Sequence, residues 1–198
     1  MQKRMRKRDP SIFENVRIDE SVFENISQTL LASLFAFFIF LIPFLFPAPQ
    51  LLTGTIVNAI LILGALLLKG NKPYYLVFLP ALATFANGLL FGPFSFFLLF
   101  MLPFIWMGNA LLVYVFRALY VSKKTGYLLT LTLASGAKSL FLFLCASALL
   151  YLSIIPALIA NAMGLLQLIT ALLGGVLAYA ALKFYGMLAN SLPTQRKR

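Results

Sequence analysis

Six largely apolar stretches, each about twenty residues long, determine which folds this 198-residue chain can adopt. An α-helix rises about 1.5 Å per residue, so a stretch of about twenty residues crosses a hydrocarbon layer of about 30 Å. The chain is 62% hydrophobic and 11% charged, with a mean hydropathy of +0.95. A soluble core of this size cannot bury that much apolar surface. We therefore predict an all-α, polytopic membrane protein with helices over residues 27–46, 51–68, 73–91, 95–116, 125–151 and 158–182.

The positions of the cations predict how these helices cross the membrane. Alternate loops carry lysine or arginine, whereas the loops at 47–50, 92–94 and 152–157 carry no charge. Cytoplasmic loops are enriched in cations. We expect six transmembrane helices in the cell membrane with both termini cytoplasmic, forming one domain over residues 26–188. A basic, amphipathic segment (1–25) precedes this domain and a basic tail (189–198) follows it. Because the net charge of +11 lies at helix ends and in these flanks, it does not indicate a nucleic-acid partner.

The residues that most catalytic and metal sites require are missing from the apolar part. The chain has no histidine, one cysteine and no acidic residue after Glu24. There is no base to activate a serine or cysteine, and there are too few ligands for zinc or an iron–sulfur cluster. We expect neither an enzyme nor a protein that carries a metal or cofactor.

Lys138 is the exception, because it lies in the middle of the stretch 125–151, roughly 20 Å from either end. An ionisable residue at that depth is a functional-site hypothesis by default. No carboxylate of the membrane part can neutralise it. Its partner is then either the anionic group of a bound molecule, or backbone carbonyls and asparagine side chains of the protein itself.

Neutral polar residues also occur within the apolar stretches, and the predicted topology places them between the midplane and the outer surface. They predict an outward-facing cavity for a small molecule with an anionic group that meets Lys138. The alternative is that the amides only hold helices together. The predicted substrate-binding residues are Lys138, Asn109, Trp106, Asn87, Gln167 and Thr170, while Asn58 and Asn161 belong to the same polar set.

Several stretches resemble a known family. Ala32 and Ala36 form an Ala-x-x-x-Ala spacing, and LPFIWMGNALLVYVFRAL, SGAKSLFLFL and LLQLITALLGGVLAYAALKF are similar to segments of small bacterial membrane proteins. Those proteins resemble the S components of energy-coupling factor (ECF) transporters, and some carry an "iron hydrogenase" label. One cysteine cannot ligate an iron–sulfur cluster, so that label does not fit this chain.

The resemblance implies a bundle of the S-component type that captures a vitamin-like micronutrient from outside. It also implies docking through Ala32 and Ala36 onto a transmembrane coupling subunit driven by cytoplasmic ATPases. The sequence has no Gly-x-x-x-x-Gly-Lys-Ser/Thr motif of its own for ATP hydrolysis. The alternative function is a non-transporting membrane anchor or assembly protein for a partner complex.

Overall fold

The described chain is helical throughout. A computed structural model describes residues 20–91 and 95–191, and every regular element within these ranges is a helix. The helices are α1 (Glu20–Leu45), α2 (Gln50–Leu67), α3 (Lys72–Tyr75), α4 (Leu79–Phe91), α5 (Ser95–Val115), α6 (Tyr127–Tyr151), α7 (Ala157–Ala162) and α8 (Leu165–Ser191). A 3-10 turn (Leu76–Phe78) joins α3 to α4, and a π-helical segment (Phe116–Ser122) follows α5. The all-α prediction is confirmed here. Most of the predicted basic flanks, at 1–19 and 192–198, lies outside the described residues.

Five of the six predicted membrane spans appear as long apolar helices in the described ranges. They cover Glu24–Leu45, Gln50–Leu67, Phe97–Ser122, Tyr127–Tyr151 and Ala157–Met187. Large apolar side chains are exposed along them, including Leu128 at 73% and Leu165 at 70%. Such a surface is stable against lipid rather than water, and these helices satisfy their own backbone hydrogen bonds as a bilayer requires. The chain thus has the build of a helical membrane protein.

The remaining predicted span, residues 73–91, is divided into α3, the 3-10 turn and α4. The sequence predicted a kink at Pro80, and the structure instead has a break just before it, at Leu76–Phe78. Proline lacks an N–H, so Pro80 cannot donate to the Leu76 carbonyl, and the Leu79 N–H donates to that carbonyl in the 3-10 pattern instead. α4 begins at Leu79, so Pro80 falls in its first turn, where a missing N–H leaves no helical hydrogen bond unmade.

A second interruption divides the predicted helix 158–182 into α7 and α8, at Met163 and Gly164. Glycine weakens a helix by about 1 kcal/mol relative to alanine, which favours a break at this position. The outer bounds also differ from the prediction, because α1 begins at Glu20 and α8 continues to Ser191. Apolar runs mark the part of a helix that faces hydrocarbon, whereas its polar ends extend beyond that part.

The helices pack as neighbouring pairs, with α2 against α8, α5 against α6 and α1 against α4. Two clusters of buried apolar side chains result. One includes Leu61, Leu112 and Phe116 and lies toward the loops that carry cations. The other includes Met101 and Leu142 and lies toward the uncharged loops. Lys138 lies on α6 between the two clusters. The candidate site is formed at this height in the bundle.

Candidate functional site

Lys138 is 2% exposed and contacts two asparagines from neighbouring helices. Its Nζ donates to Asn58 Oδ1 of α2 at 2.6 Å and to Asn109 Oδ1 of α5 at 2.8 Å. These are charge-assisted hydrogen bonds when the lysine is protonated, and such bonds are about twice as strong as neutral ones. Lys138 therefore joins α2, α5 and α6 at one point near the middle of the bundle.

Each asparagine is fixed in turn by the other atom of its amide. Asn58 Nδ2 donates to Thr170 Oγ1 of α8 at 3.3 Å, and the Thr170 hydroxyl donates to the Gln167 carbonyl at 3.1 Å. Asn109 Nδ2 donates to the Val77 carbonyl at 3.1 Å. Because both amide nitrogens are engaged elsewhere, both amide oxygens face the ammonium group. The contacts of the two amide nitrogens, with Thr170 and with the Val77 carbonyl, thus orient the asparagines as much as Lys138 does.

Asn58 can approach Lys138 because α2 and α8 cross closely at Gly174. A Cβ atom built on Gly174 would lie 2.7 Å from Asn58 Cβ, 2.8 Å from the Thr55 carbonyl oxygen and 2.9 Å from the Ala59 nitrogen. Two of these three contacts are with backbone, which cannot move aside cheaply. The absence of a side chain at Gly174 therefore sets the position of α2, and with it that of Asn58.

Side chains of neighbouring helices bind the backbone at both helix breaks. Asn109 donates to the Val77 carbonyl and Trp106 Nε1 to the Phe78 carbonyl, each at 3.1 Å, within the 3-10 turn. Ser139 Oγ donates to the Gly164 carbonyl at 3.1 Å in the second break. Irregular backbone at membrane depth is tolerated where protein groups satisfy it or where it borders a cavity. The first condition holds at both breaks, and Met163 in the second break also borders a cavity.

A cavity of about 450 Å³ lies beside these breaks, toward the end of the bundle that has uncharged loops. Lys138, Asn58, Asn109 and Gln167 supply polar groups to its wall. Pro47, which is exposed, belongs to its rim. The rest of the wall is mainly apolar and includes Pro43, Val57, Leu98, Ile105, Ile159 and Met163. Its size falls within the range of about 300–1,000 Å³ that is typical of small-molecule sites.

The structure brings some of the predicted site residues together and separates others. Lys138, Asn109 and Gln167 line the cavity, and Thr170 lies behind it in the polar network. Trp106 instead bonds the 3-10 turn and packs edge-on against Phe78, with ring centroids 5.3 Å apart. Asn87 donates to the Phe44 carbonyl at 2.7 Å, where it satisfies the end of α1. These last two side chains are not part of the cavity wall.

Asn58 is the site residue that the predicted set left out. It stood in the wider polar set of the sequence, yet it makes the shorter of the two contacts to Lys138. The predicted topology gave the depth of Asn58 in the membrane. It did not give the contact with Lys138 on α6, which depends on how closely α2 packs against α8 at Gly174. Ser135, one turn before Lys138, is also buried. Its Oγ is the one buried side-chain polar atom without a hydrogen-bond partner among the described residues.

Ala32 and Ala36, the predicted docking residues, are half-buried and pack against the first core cluster of the chain itself. The exposed face of α1 is formed by larger residues, among them Leu34 and Phe37. Docking of a partner through Ala32 and Ala36 stays a prediction.

The described residues contain no group of three or more histidine, cysteine or acidic side chains that could hold a metal ion. The cavity wall offers one ammonium group, carboxamides and hydroxyls. Chemically, this arrangement suits recognition by hydrogen bonding and charge. No protein-family model, curated protein or solved structure matches the chain.

Proposed function

We propose that this chain is the substrate-binding membrane component of an uptake transporter of the ECF type, and that it binds a small, vitamin-like molecule in the cavity that Lys138 lines. The cavity is the observation that carries the proposal. It combines a ligand-sized volume of about 450 Å³ with a few convergent polar groups on a mainly apolar wall. A buried lysine on that wall adds a charged contact where intramembrane charges are rare and usually functional.

The proposal includes six transmembrane spans with both termini in the cytoplasm. The segment from Lys72 to Phe91 is helical throughout apart from one 3-10 turn. At about 1.5–2.0 Å per residue its length is on the order of 30 Å, which is enough to cross the hydrocarbon layer. In this orientation the loops that carry cations are cytoplasmic and the cavity opens outward, where an uptake protein meets its substrate.

Uptake against a gradient would require energy from partners, because the sequence has no P-loop motif. We propose a transmembrane coupling subunit and cytoplasmic ATPases in this role, as the family resemblance implies. The contact would use α1, whose exposed face lies next to the half-buried Ala32 and Ala36.

A second candidate is a non-transporting anchor or assembly protein. The observation that favours it is that Asn58 and Asn109 already hold Lys138 within the chain. A lysine with a purely structural role would have the same contacts. The two candidates differ in whether the cavity holds a molecule in the native membrane.

Native mass spectrometry of gently extracted protein tests the proposal. We expect the wild-type protein to retain a small non-lipid molecule. Ala162, which is half-buried on the cavity wall, offers a way to fill the cavity. The substitution Ala162→Phe should raise the dissociation constant on the order of tenfold, which corresponds to about 1.4 kcal/mol, and thereby lower the retained fraction.

Ala180→Phe provides the matched control, since Ala180 is exposed on α8 away from the cavity wall. This variant should retain the molecule as the wild type does. If the wild-type protein carries no small molecule, or if both variants lose it equally, the anchor function becomes the better interpretation.

A further inference from the structure

The charges around the cavity are unbalanced. Lys138 is the single ionisable residue on the cavity wall, and its two partners are neutral amide oxygens. Among the side chains that the structure describes, the one carboxylate belongs to Glu24, which forms an ion pair with Lys69 at the other end of the bundle. A buried ammonium group paired only with dipoles is less stable than one that also meets an anion. Within the described residues, no side chain supplies such an anion to Lys138.

When Lys138 is protonated, its donor count leaves room for one more hydrogen-bond acceptor. An ammonium group has three N–H donors. Asn58 and Asn109 accept two of them, at 2.6 and 2.8 Å. Lys138 also lines the cavity, so an acceptor on a bound molecule can reach the third donor from that side.

The two asparagines limit what else can bind beside the ammonium. Their amide nitrogens are engaged with Thr170 Oγ1 and the Val77 carbonyl, so rotating either amide to donate to a ligand would break an existing hydrogen bond. The groups that face Lys138 are therefore acceptors only. A ligand group beside Lys138 therefore binds more tightly if it is negatively charged than if it is a neutral hydrogen-bond donor.

The same amide oxygens set an upper limit on that charge. One ammonium balances one negative charge, and a second negative charge would be buried next to two oxygen atoms without compensation. A carboxylate carries a single charge, whereas a phosphate monoester carries close to two at neutral pH. Most of the remaining wall is apolar, so the body of the ligand should be largely apolar; the further polar residues on the wall are Gln50, Thr53, Thr84 and Gln167.

We propose that the cavity takes a molecule with one carboxylate, which accepts a hydrogen bond from Lys138, and with a largely apolar body along the rest of the wall. This inference rests on the proposed function, since both require that the cavity binds a small molecule. It adds the chemical class of that molecule and the residue that selects it.

Three probes of similar shape test the charge selectivity: benzoate, benzamide and phenyl phosphate. Their binding to the full chain in lipid nanodiscs can be measured from the rise in thermal unfolding temperature with probe concentration. We expect benzoate to bind at least about tenfold more tightly than benzamide, because a carboxylate neutralises the buried ammonium charge whereas the benzamide oxygen adds only another dipole. Phenyl phosphate should also bind more weakly than benzoate.

Two variants assign the selectivity to Lys138. Lys138→Gln keeps a neutral donor for the asparagine oxygens, and it should bring the ratio of benzoate to benzamide affinity close to one. Lys138→Met should do the same, and serves if Lys138→Gln folds poorly. A wild-type protein that binds benzamide or phenyl phosphate as tightly as benzoate would overturn the carboxylate assignment, as would an unchanged ratio in both variants.

The molecule retained in native mass spectrometry separates this inference from the proposed function. A retained molecule with a carboxylate that is lost in Lys138→Gln supports both. A retained neutral molecule leaves the binding function standing and overturns the carboxylate assignment. If no probe binds and nothing is retained, the proposed function fails and the inference fails with it.

Discussion

Lys138 is held in place by hydrogen bonds, and the strength of these bonds decides how much its neighbours matter for folding. Hydrogen bonds between neutral side chains inside membrane proteins contribute about 0.6 kcal/mol on average. A hydrogen bond to a charged group contributes about 1.5–3 kcal/mol, and an acceptor that is removed leaves the buried charge less well compensated. The contacts of Lys138 with Asn58 and Asn109 should therefore dominate the energetics of the network.

The substitution Asn58→Leu should lower the free energy of unfolding by about 1.5–3 kcal/mol, because Lys138 loses its acceptor at 2.6 Å. Asn58→Leu combined with Lys138→Met should recover much of this loss, since no buried charge then lacks its partner. Unfolding in mixed micelles of detergent and dodecyl sulfate measures all the variants and the coupling between the two positions.

Asn161→Leu is the control for this pair, since Asn161 is exposed on α7. Substitutions at such positions usually change stability by less than about 0.5 kcal/mol. Additive effects of Asn58→Leu and Lys138→Met would contradict the expected coupling and would mean that the two side chains contribute independently.

Between elements, the close crossing of α2 and α8 positions the network. A Cβ atom on Gly174 would contact the backbone of α2 at 2.8 and 2.9 Å, below the distances that real Cβ atoms show. Helix backbones cannot absorb such contacts by a change of rotamer. An added methyl group must therefore push the two helices apart, and this moves Asn58 relative to Lys138.

Gly174→Ala should lower the unfolding temperature, with a loss of about 1–3 kcal/mol as found for overpacked cores. Gly186→Ala on the same helix is the matched control, because a Cβ atom there meets nothing within 4 Å. Alanine favours the helix over glycine by up to about 1 kcal/mol, so the control should be neutral or slightly stabilising. Thermal unfolding in detergent compares the two, and equal effects would show that the crossing tolerates a side chain.

The helix contacts also show which parts of the site could be predicted from the sequence. Apolar run lengths and loop charges predicted the depth of Lys138 and the outer-half position of the amides. They could not predict what each amide faces. Asn58 and Asn87 have similar predicted depths, yet Asn58 contacts Lys138 while Asn87 bonds the end of α1. The difference arises from long-range packing, because Asn58 contacts a residue 80 positions away and Asn87 one 43 positions away, and no local pattern in the sequence encodes such contacts.

The helix breaks illustrate a similar limit. Pro80 predicted a weak point in its helix, and the structure has a 3-10 turn just before it. The interruption at Gly164 was not predicted, since residues 158–182 were expected to form one helix. The sequence did not predict that Trp106 and Asn109 would donate to the carbonyls of the first break. Their spacing placed both side chains on one face of α5, and both contact the neighbouring 3-10 turn. Only Asn109 also lines the cavity.

At the scale of the whole molecule, the sides on which the loops lie depend on whether the segment from Lys72 to Phe91 crosses the membrane. If it does, the loop after α1 and the π-helical segment after α5 lie on opposite sides. If it does not, the order of the remaining spans places both on the same side. The charge pattern favours the first arrangement, because Lys123 and Lys124 follow the π-helical segment directly whereas the loop after α1 is uncharged.

Single cysteines at Ala48 and Ser122, both exposed, can decide this in a Cys145→Ser background. We expect a membrane-impermeant maleimide to label Ala48→Cys in intact cells, and to label Ser122→Cys only after the membrane is permeabilised. Neither substitution changes a charge, so the cations that orient the helices are kept. Labelling of both cysteines from outside would mean that Lys72–Phe91 does not span. The cavity would then lack the α4 wall that Pro80, Ala81 and Thr84 provide in the present packing, and both binding proposals would lose their structural basis.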